Sequence, residues 1–143
     1  MKFTRSALAS WQGTGIEGTG SVSTESKALN GTPLSFHTRF ENGSGTNPEE
    51  LIAAAHAGCF TMQMSFLLSD AGLFPERLNT AAKITFQEGQ IAEIALELTG
   101  VVSGISPAEF EKIARKANEI CPISKLLSTV ITLKVNLLSE LSI

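Results

Sequence analysis

The sequence is poor in several residue types that would indicate a special class of protein. It has two cysteines, two histidines and five prolines among 143 residues, of which 43% are hydrophobic and 17% charged. This composition excludes a disordered, collagen-like or low-complexity chain. A chain of this length buries about two-thirds of the surface that its unfolded form exposes, so it needs no metal or disulfide to stay folded. We expect one domain spanning residues 1–143, with both cysteines free for chemistry.

Metal and nucleotide motifs are missing as well. His37 and His56 are not paired in sequence, and neither a Cys-x-x-Cys nor a His-x-x-x-His spacing occurs, so we expect no zinc site. Gly13, Gly15 and Gly18 follow no apolar strand and open no helix, as a dinucleotide-binding loop would require. A β-hairpin turn is the better interpretation of these glycines, and the sequence predicts no cofactor.

The sequence carries no excess of basic charge and no signal for secretion. It has 11 basic and 14 acidic residues and a net charge of −3, which leaves no basic surface for nucleic acid or anionic lipid. The N-terminal residues contain no apolar run of the kind that a secretory leader needs. The expected location is the cytoplasm, where a pair of cysteines is more often two thiols than a structural disulfide.

Turn residues and alternating patterns predict strands in the first forty residues. Residues 21–24 and 35–40 alternate between two kinds of side chain, as strands do. Side chains alternate between the two faces of a sheet, so His37 and Arg39 would point to the same face. The sequence therefore predicts a strand that carries Arg39.

A long apolar helix is predicted next. Asn47 suits the N-cap, Pro48 the first helical position, and Glu50 the acid of a capping box. Glu49 is not needed for that box, although the helix dipole favours an acid there, so a functional and a structural role both stay open for it. Residues 51–69 carry no formal charge, but they include polar side chains and lack basic anchors. We interpret them as a central core helix that a partner subunit helps to cover, not as a membrane span.

The second half of the chain predicts a hairpin, two helices and a final strand. The hairpin has one apolar and one polar face and a tight turn between its strands. The predicted elements are strands at residues 78–86 and 91–102, a helix from Ser106 to Cys121, a short helix from Pro122, and a strand at residues 129–137.

Each cysteine has a functional and a structural interpretation. Cys59 falls in the middle of the long helix, where apolar burial would raise its pKa and leave it an inert core residue. Arg39 argues against an inert role for Cys59, because its permanent charge needs a partner such as Glu49. If the thiol, the guanidinium and the carboxylate converge, they would form a chemical site. Cys121 lies at a helix cap, and we expect it to be the more exposed thiol, near unpaired N–H groups.

The spacing of Glu49 and Cys59 predicts a site between subunits. They lie ten positions apart on one helix, which separates them by roughly 15 Å along its axis. Antiparallel packing of this helix from two chains about a two-fold axis would bring Glu49 of one chain toward Cys59 of the other. We therefore expect a homodimer.

Several neighbours of the mid-helix thiol are candidates for roles in the site. His56, one turn earlier, could act as a base, although a hydrogen-bonded core histidine is the more common case. Met62, Met64 and Phe66 are expected in the core, and Phe60 and Met62 are candidates for lining an apolar substrate pocket.

Three motifs taken together carry a family resemblance. They are Thr38-Arg39-Phe40, then Gly45-Thr46-Asn47-Pro48-Glu49-Glu50 continuing to His56-Ala57-Gly58-Cys59-Phe60, and Cys121-Pro122-Ile123-Ser124. In this combination the chain resembles the OsmC/Ohr family of thiol-dependent organic hydroperoxide reductases, which respond to oxidative and osmotic stress. The position of Arg39 and the Lys125-Leu126-Leu127 sequence make the resemblance closer to the OsmC branch.

The resemblance implies an α+β fold, in which an intertwined homodimer packs antiparallel sheets around long central helices. It also implies that Cys59 attacks an organic hydroperoxide and becomes a sulfenic acid, which Cys121 resolves into an intramolecular disulfide. In the same way Arg39 is implied to stabilise the thiolate, and Glu49 to hold Arg39. A dithiol reductant, such as a lipoyl protein, would reopen the disulfide.

Two other functions compete with the peroxidase. The protein could be a dimeric stress protein that binds lipid-like molecules in an apolar pocket, with both cysteines inert. It could also be a structural protein in which a bond between Cys59 and Cys121 only staples the fold. The peroxidase is the preferred interpretation.

Overall fold

The chain folds into two compact units. The computed structural model describes residues 1–139, with one unit formed by residues 1–51 and the other starting at Ile52. The first holds strands β1 (Ala7–Gln12), β2 (Thr19–Thr24) and β3 (Thr32–Ser35), helix α1 (Phe36–Phe40) and the first turn of helix α2 (Pro48–Asp70). The second holds the rest of α2, strands β4 (Pro75–Gln87) and β5 (Gln90–Val102), helices α3 (Pro107–Ile120) and α4 (Pro122–Leu126), and strand β6 (Val130–Leu138). Helices and sheets are thus both present, as an α+β fold requires.

The sheet of the first unit is an antiparallel meander in the order β1-β2-β3. Strands β1 and β2 pair from Gln12 opposite Thr19, so the glycine-rich segment connects them as a hairpin. Gly13 has a φ of +95° in this connection, a conformation that glycine adopts without steric cost. The predicted role of the glycines as turn residues is confirmed.

Residues 36–40 form a short helix where a strand was predicted. The Ser35 hydroxyl accepts a hydrogen bond from the Thr38 N–H (3.1 Å), and the Thr38 hydroxyl accepts one from the Ser35 N–H (2.8 Å). This capping box satisfies two backbone donors and starts helix α1. The alternation misled because residues four apart share a face on a strand and are also neighbours on a helix. Phe36 and Phe40 meet in this way, with ring centroids 5.0 Å apart.

The change from strand to helix also moves Arg39. It lies in the last turn of α1, one residue before the helix ends. His37 Nδ1 approaches Glu41 Oε2 at 2.6 Å, one helical turn further along. The prediction that His37 and Arg39 share one face of a sheet is therefore wrong.

Helix α2 begins and ends close to the predicted residues. The Asn47 side-chain oxygen accepts a hydrogen bond from the Glu50 N–H (2.8 Å), which confirms the N-cap. The Glu50 carboxylate accepts its hydrogen bond from the Thr46 hydroxyl (2.8 Å) instead of closing the predicted box. At the other end Gly72, with a φ of +77°, follows the helix as a C-terminal glycine does.

The second unit contains the predicted hairpin, but its sheet is not wholly antiparallel. Strands β4 and β5 pair antiparallel up to Gln87 opposite Gln90. Glu88 and Gly89 form the turn with φ values of +53° and +78°, as a two-residue hairpin turn requires. Strand β6 pairs with β5 in parallel, because helices α3 and α4 carry the chain back across the sheet. The expectation of antiparallel sheets is wrong for this pair.

The core of the second unit lies between one face of the sheet and a stripe of α2. The buried stripe consists of His56, Phe60, Met64 and Leu68, each four residues after the last. Strand β5 contributes Ile94, Leu96 and Leu98 to this core, and helix α3 contributes Phe110, Ala114 and Ala117. The apolar side chains among these form one continuous cluster, and the predicted apolar face of the hairpin is confirmed.

Another face of α2, mostly apolar, is left exposed by the part of the chain that the structure describes. Met64 is buried as predicted, whereas Met62 is 62% exposed and Phe66 59% exposed, so placing those two in the core of the single chain is wrong. Within residues 1–139, α2 is the one helix long and apolar enough to cross a membrane by length and composition. Core helices of soluble proteins can have the same composition.

Candidate active site

The two thiols lie in contact in the second unit. Cys59 is half-buried on α2, in the turn that follows His56, and Cys121 is fully buried between α3 and α4. A hydrogen bond joins their side chains. Cys121 ends α3 and precedes the first residue of α4. The prediction that Cys121 is the more exposed thiol is wrong, because this connection is packed into the core.

A backbone N–H also reaches the Cys59 sulfur. The donor is Ile123, in the first turn of α4, where amide groups have no partner within their own helix. Burial raises the pKa of the Cys59 thiol, the N–H of Ile123 lowers it, and the neighbouring Cys121 raises it. The net effect is a raised pKa, so these contacts by themselves favour the thiol over the reactive thiolate.

The buried His56 belongs to a series of hydrogen-bonded polar side chains whose other members are half-buried. Its Nε2 lies 2.7 Å from the Ser124 hydroxyl, which in turn donates to the side-chain oxygen of Asn118 at 2.8 Å. Since the Ser124 proton is used toward Asn118, His56 must be the donor to Ser124 and carries its proton on Nε2. Burial lowers the pKa of His56, which keeps the ring neutral. His56 is therefore a hydrogen-bonded core histidine, which is the more common of the two roles considered for it.

Arg39 and Glu49 form an ion pair in the first unit. Arg39 Nε donates to Glu49 Oε1 at 2.8 Å, with the arginine side chain 41% exposed and the glutamate 16% exposed. Asn47 holds the two elements together, because its side-chain amide donates to the Thr38 carbonyl (3.0 Å) while its oxygen caps α2. The pairing expected from the charges is present, and the local turn fixes where it lies.

A mostly apolar cavity lies beside Arg39. Its volume is about 440 Å³, and its lining includes Trp11, Ile16, Leu34, Phe36, Arg39 and Phe40. Trp11 is held there by hydrogen bonds from its indole N–H to the carbonyls of Gly13 and Thr14, both at 3.2 Å. The lining comes from the meander and α1, so an apolar molecule with one polar end would fit it, with the polar end near the guanidinium.

The three predicted substrate contacts do not share one environment. Phe60 and His56 are fully enclosed by the core, whereas Met62 projects from the uncovered surface of α2. The sequence did not predict the hydrogen bond from the Asn47 side chain to α1. It also did not predict the hydrogen bonds that link His56, Ser124 and Asn118. Ser124 stands in the motif that follows Cys121, and that position was the one available signal. Among residues 1–139 no group of three histidine, cysteine or acidic side chains could hold a metal ion.

Comparison with protein families gives a match over most of the chain. Residues 41–136 match the family model described as OsmC-like protein. Peroxiredoxin OsmC of Escherichia coli (strain K12) is 43% identical over 143 residues, covering 97% of this chain and 100% of its own length. Organic hydroperoxide resistance protein OhrA of Bacillus subtilis (strain 168) is 31% identical over 105 residues, covering 71% of this chain and 70% of its own.

Solved structures share the fold at lower sequence identity. The crystal structure of an organic hydroperoxide resistance protein OsmC from Legionella pneumophila superposes with a TM-score of 0.66 at 22% identity, covering 95% of this chain and 98% of that one. The structure of OhrB of Bacillus subtilis superposes with a TM-score of 0.62 at 20% identity, covering 93% and 98%. Helices and sheets are therefore arranged in this chain as they are in those proteins.

Proposed function

The chain belongs to the family of OsmC-like proteins, and on that basis we propose that it is a thiol-dependent peroxidase that reduces organic hydroperoxides to alcohols. The relatives named as a peroxiredoxin and as organic hydroperoxide resistance proteins support this activity. The observation that carries the proposal is the contact between the Cys59 and Cys121 side chains. Two thiols in contact can take up and release two electrons as a disulfide.

In the proposed cycle, the Cys59 thiolate attacks the outer oxygen of the hydroperoxide. The O–O bond breaks, the inner oxygen takes a proton and leaves as the alcohol, and Cys59 becomes a sulfenic acid. The Cys121 thiol then attacks the Cys59 sulfur, so that an S–S bond forms and the sulfenic oxygen leaves as water. A dithiol such as the reduced, dihydrolipoyl form of a lipoyl group reduces this bond by exchange and is itself oxidised to a disulfide.

The burial of Cys121 supports the resolving role. A sulfenic acid left alone is oxidised further by a second peroxide, and those products do not return readily to the thiol. Cys121 touches Cys59 while being shielded from solvent, so it is protected from peroxide yet ready to react. Cys59, which is half-buried, is the thiol that a substrate can reach.

Activation of Cys59 calls for a further group that lowers the pKa of its thiol. The contacts of the thiol within its own unit leave its pKa raised, and a nearby guanidinium would favour the thiolate. We assign this role to the partner subunit's Arg39, held in place by Glu49, in a homodimer. Glu49 stands near the start of α2 and Cys59 in its middle, so antiparallel packing of two α2 helices would bring the two regions together.

The uncovered surface of α2 supports the dimer. Only 22% of its most apolar stretch is buried in the single chain, and large side chains such as Met62 and Phe66 project from it. Covering apolar area contributes roughly 25 cal/mol for each Å² removed from water. A second copy of the same helix supplies a matching apolar surface.

The cavity beside Arg39 is the proposed place for the organic part of the substrate. Its walls are apolar and its volume of about 440 Å³ suits a bulky alkyl or aryl group. Hydrogen peroxide, which has no apolar part, would gain nothing from these walls. The proposal therefore favours organic hydroperoxides over hydrogen peroxide as substrates.

Titration of free thiols tests the proposed function. One equivalent of cumene hydroperoxide should remove both thiols and release one equivalent of cumyl alcohol per chain, and a dithiol should restore the thiols. A protein that only binds lipid-like molecules would keep both thiols after this treatment. A protein merely stapled by the disulfide would lose thermal stability on reduction but consume no peroxide over repeated additions. Either of these two results would rule the peroxidase out.

A further inference from the structure

We propose that Ser124, acting through its hydrogen bonds to His56 and Asn118, is a positioning residue for the step in which Cys121 resolves the Cys59 sulfenic acid. This inference rests on the proposed peroxidase cycle. It concerns the geometry of the second step, not the attack on peroxide. The residues involved stand on α2, α3 and α4, and all of them lie within the second unit.

Helix α4 needs an external anchor. It has five residues, and a helix this short does not hold its shape in water, because starting a helix costs more than one turn of hydrogen bonds returns. Cys121 precedes α4 and makes no side-chain hydrogen bond that caps it. Helix α3 holds the Cys121 backbone from one side, through the bond from its N–H to the Ala117 carbonyl. On the α4 side, the position of Cys121 must be set by tertiary contacts.

The hydrogen bonds of Ser124 provide such an anchor. His56 holds Ser124 to α2, and Asn118 holds the same hydroxyl to α3. On α2, His56 lies one turn before Cys59. On α4, Ser124 lies next to Ile123, whose N–H contacts the Cys59 sulfur. Fixing this serine therefore fixes the turn that presents both the resolving thiol and the backbone donor to Cys59.

The chemistry of His56 indicates that the anchor is not incidental packing. Its Nδ1 is buried and has no hydrogen-bond partner among the described residues, and a buried unpaired acceptor is unfavourable. An apolar side chain on this stripe of α2 would avoid that penalty, as Phe60 and Met64 do. What histidine adds at this position is the single Nε2–H bond to Ser124.

The test follows the sulfenic acid after one equivalent of cumene hydroperoxide. Samples are quenched with dimedone, which traps sulfenic acid, at increasing times, and the disulfide is counted by alkylation of the remaining thiols. This conversion begins only after the peroxide has reacted, so its first-order rate does not depend on how fast Cys59 attacks. Losing both part-buried hydrogen bonds of the hydroxyl in Ser124→Ala should slow the conversion at least about tenfold. Sulfinic acid should then accumulate when peroxide is in excess.

Matched variants separate positioning from general damage to the fold. Ser124→Thr keeps the hydroxyl and should restore the wild-type rate, and Lys125→Ala, an exposed change in the same helix, should leave it unchanged. Asn118→Ala, on the amphipathic helix α3, gives a second test if Ser124→Ala does not fold, and should also slow the conversion. In the double variant Ser124→Ala/His56→Gln, the second change should add little, because both remove the same bond.

The outcomes distinguish this inference from the proposed function. Wild-type conversion rates in both Ser124→Ala and Asn118→Ala would overturn the positioning role while leaving the peroxidase intact. An equal loss in Lys125→Ala would overturn it too, because any change in α4 would then suffice. Wild-type protein that forms neither sulfenic acid nor disulfide would refute the peroxidase itself.

Discussion

The side chains of Cys59 and Cys121 are hydrogen-bonded to each other while both are free thiols. A sulfur–sulfur contact of hydrogen-bond length must shorten to about 2.05 Å in a disulfide. The reduced protein thus already holds the two thiols as neighbours, as the proposed disulfide requires.

Replacing each of the two cysteines should affect peroxide consumption differently. Cys59→Ser should abolish peroxide consumption, because serine is not ionised near neutral pH and cannot form a sulfenic acid. Cys121→Ser should reduce one equivalent of peroxide and then stop as a sulfenic or sulfinic acid. Peroxide assays with a dithiol reductant, together with intact-mass spectrometry, check both. If Cys121→Ser turned over repeatedly at the wild-type rate, Cys121 would have no part in the mechanism.

Arg39 should lower the pKa of Cys59 in the assembled protein. In a Cys121→Ser background, Arg39→Ala should slow alkylation of Cys59 near neutral pH, by about tenfold for each unit that the pKa rises. Arg115→Ala is the matched control, because it removes an exposed arginine that is also paired with a glutamate, at 2.9 Å. Equal alkylation rates in the parent protein and in Arg39→Ala would remove the guanidinium from the activation of the thiol.

Local signals predicted most of the fold and failed where two structures satisfy the same pattern. The N-cap at Asn47, the start of α3 at Ser106, whose hydroxyl accepts a hydrogen bond from the Glu109 N–H (3.2 Å), and the turn at Glu88-Gly89 each depend on a few adjacent residues. They could therefore be predicted from the sequence. The structure of residues 35–40 could not be predicted in this way. Residues four apart share a face in a strand and also in a helix, so the alternating pattern fits both. The Ser35–Thr38 capping box decided the structure.

Long-range placement was harder to predict than the elements themselves. Cys121 has the sequence features of an exposed cap, yet packing of α3 and α4 onto α2 buries it. The same packing sends β6 back in parallel beside β5, which no local pattern determines. The ion pair of Arg39 with Glu49 could be anticipated, because a permanent charge needs a counter-charge. The hydrogen bond of His56 to Ser124 had no signal beyond the position of Ser124 in the motif that follows Cys121.

The exposed apolar surface of α2 should mediate dimerisation. A charge in that surface, as in Met62→Glu or Phe66→Glu, should shift the protein toward monomer, because an unpaired carboxylate is costly to bury. Met62→Leu keeps the apolar area and is the matched control. Sedimentation equilibrium gives the mass, and a peroxide assay on the same samples gives the activity. A stable monomer with full activity would contradict the site between subunits.

His56 should make the folded state sensitive to acid. Burial lowers the pKa of His56 in the folded protein, while in the unfolded chain histidine titrates near its ordinary value of about 6.5. As the pH falls through that value, the unfolded chain binds a proton that the folded chain does not, so the free energy of unfolding decreases. The stabilisation is complete above the unfolded pKa and is lost progressively as the pH falls toward the folded one.

Urea unfolding midpoints between pH 7.5 and about 5.5, a window above the ordinary carboxylate pKa values, should therefore decline in the wild type and less steeply in His56→Gln. His37→Gln, which removes the exposed histidine, is the matched control, and an unchanged slope in His56→Gln would mean that some other group causes the decline.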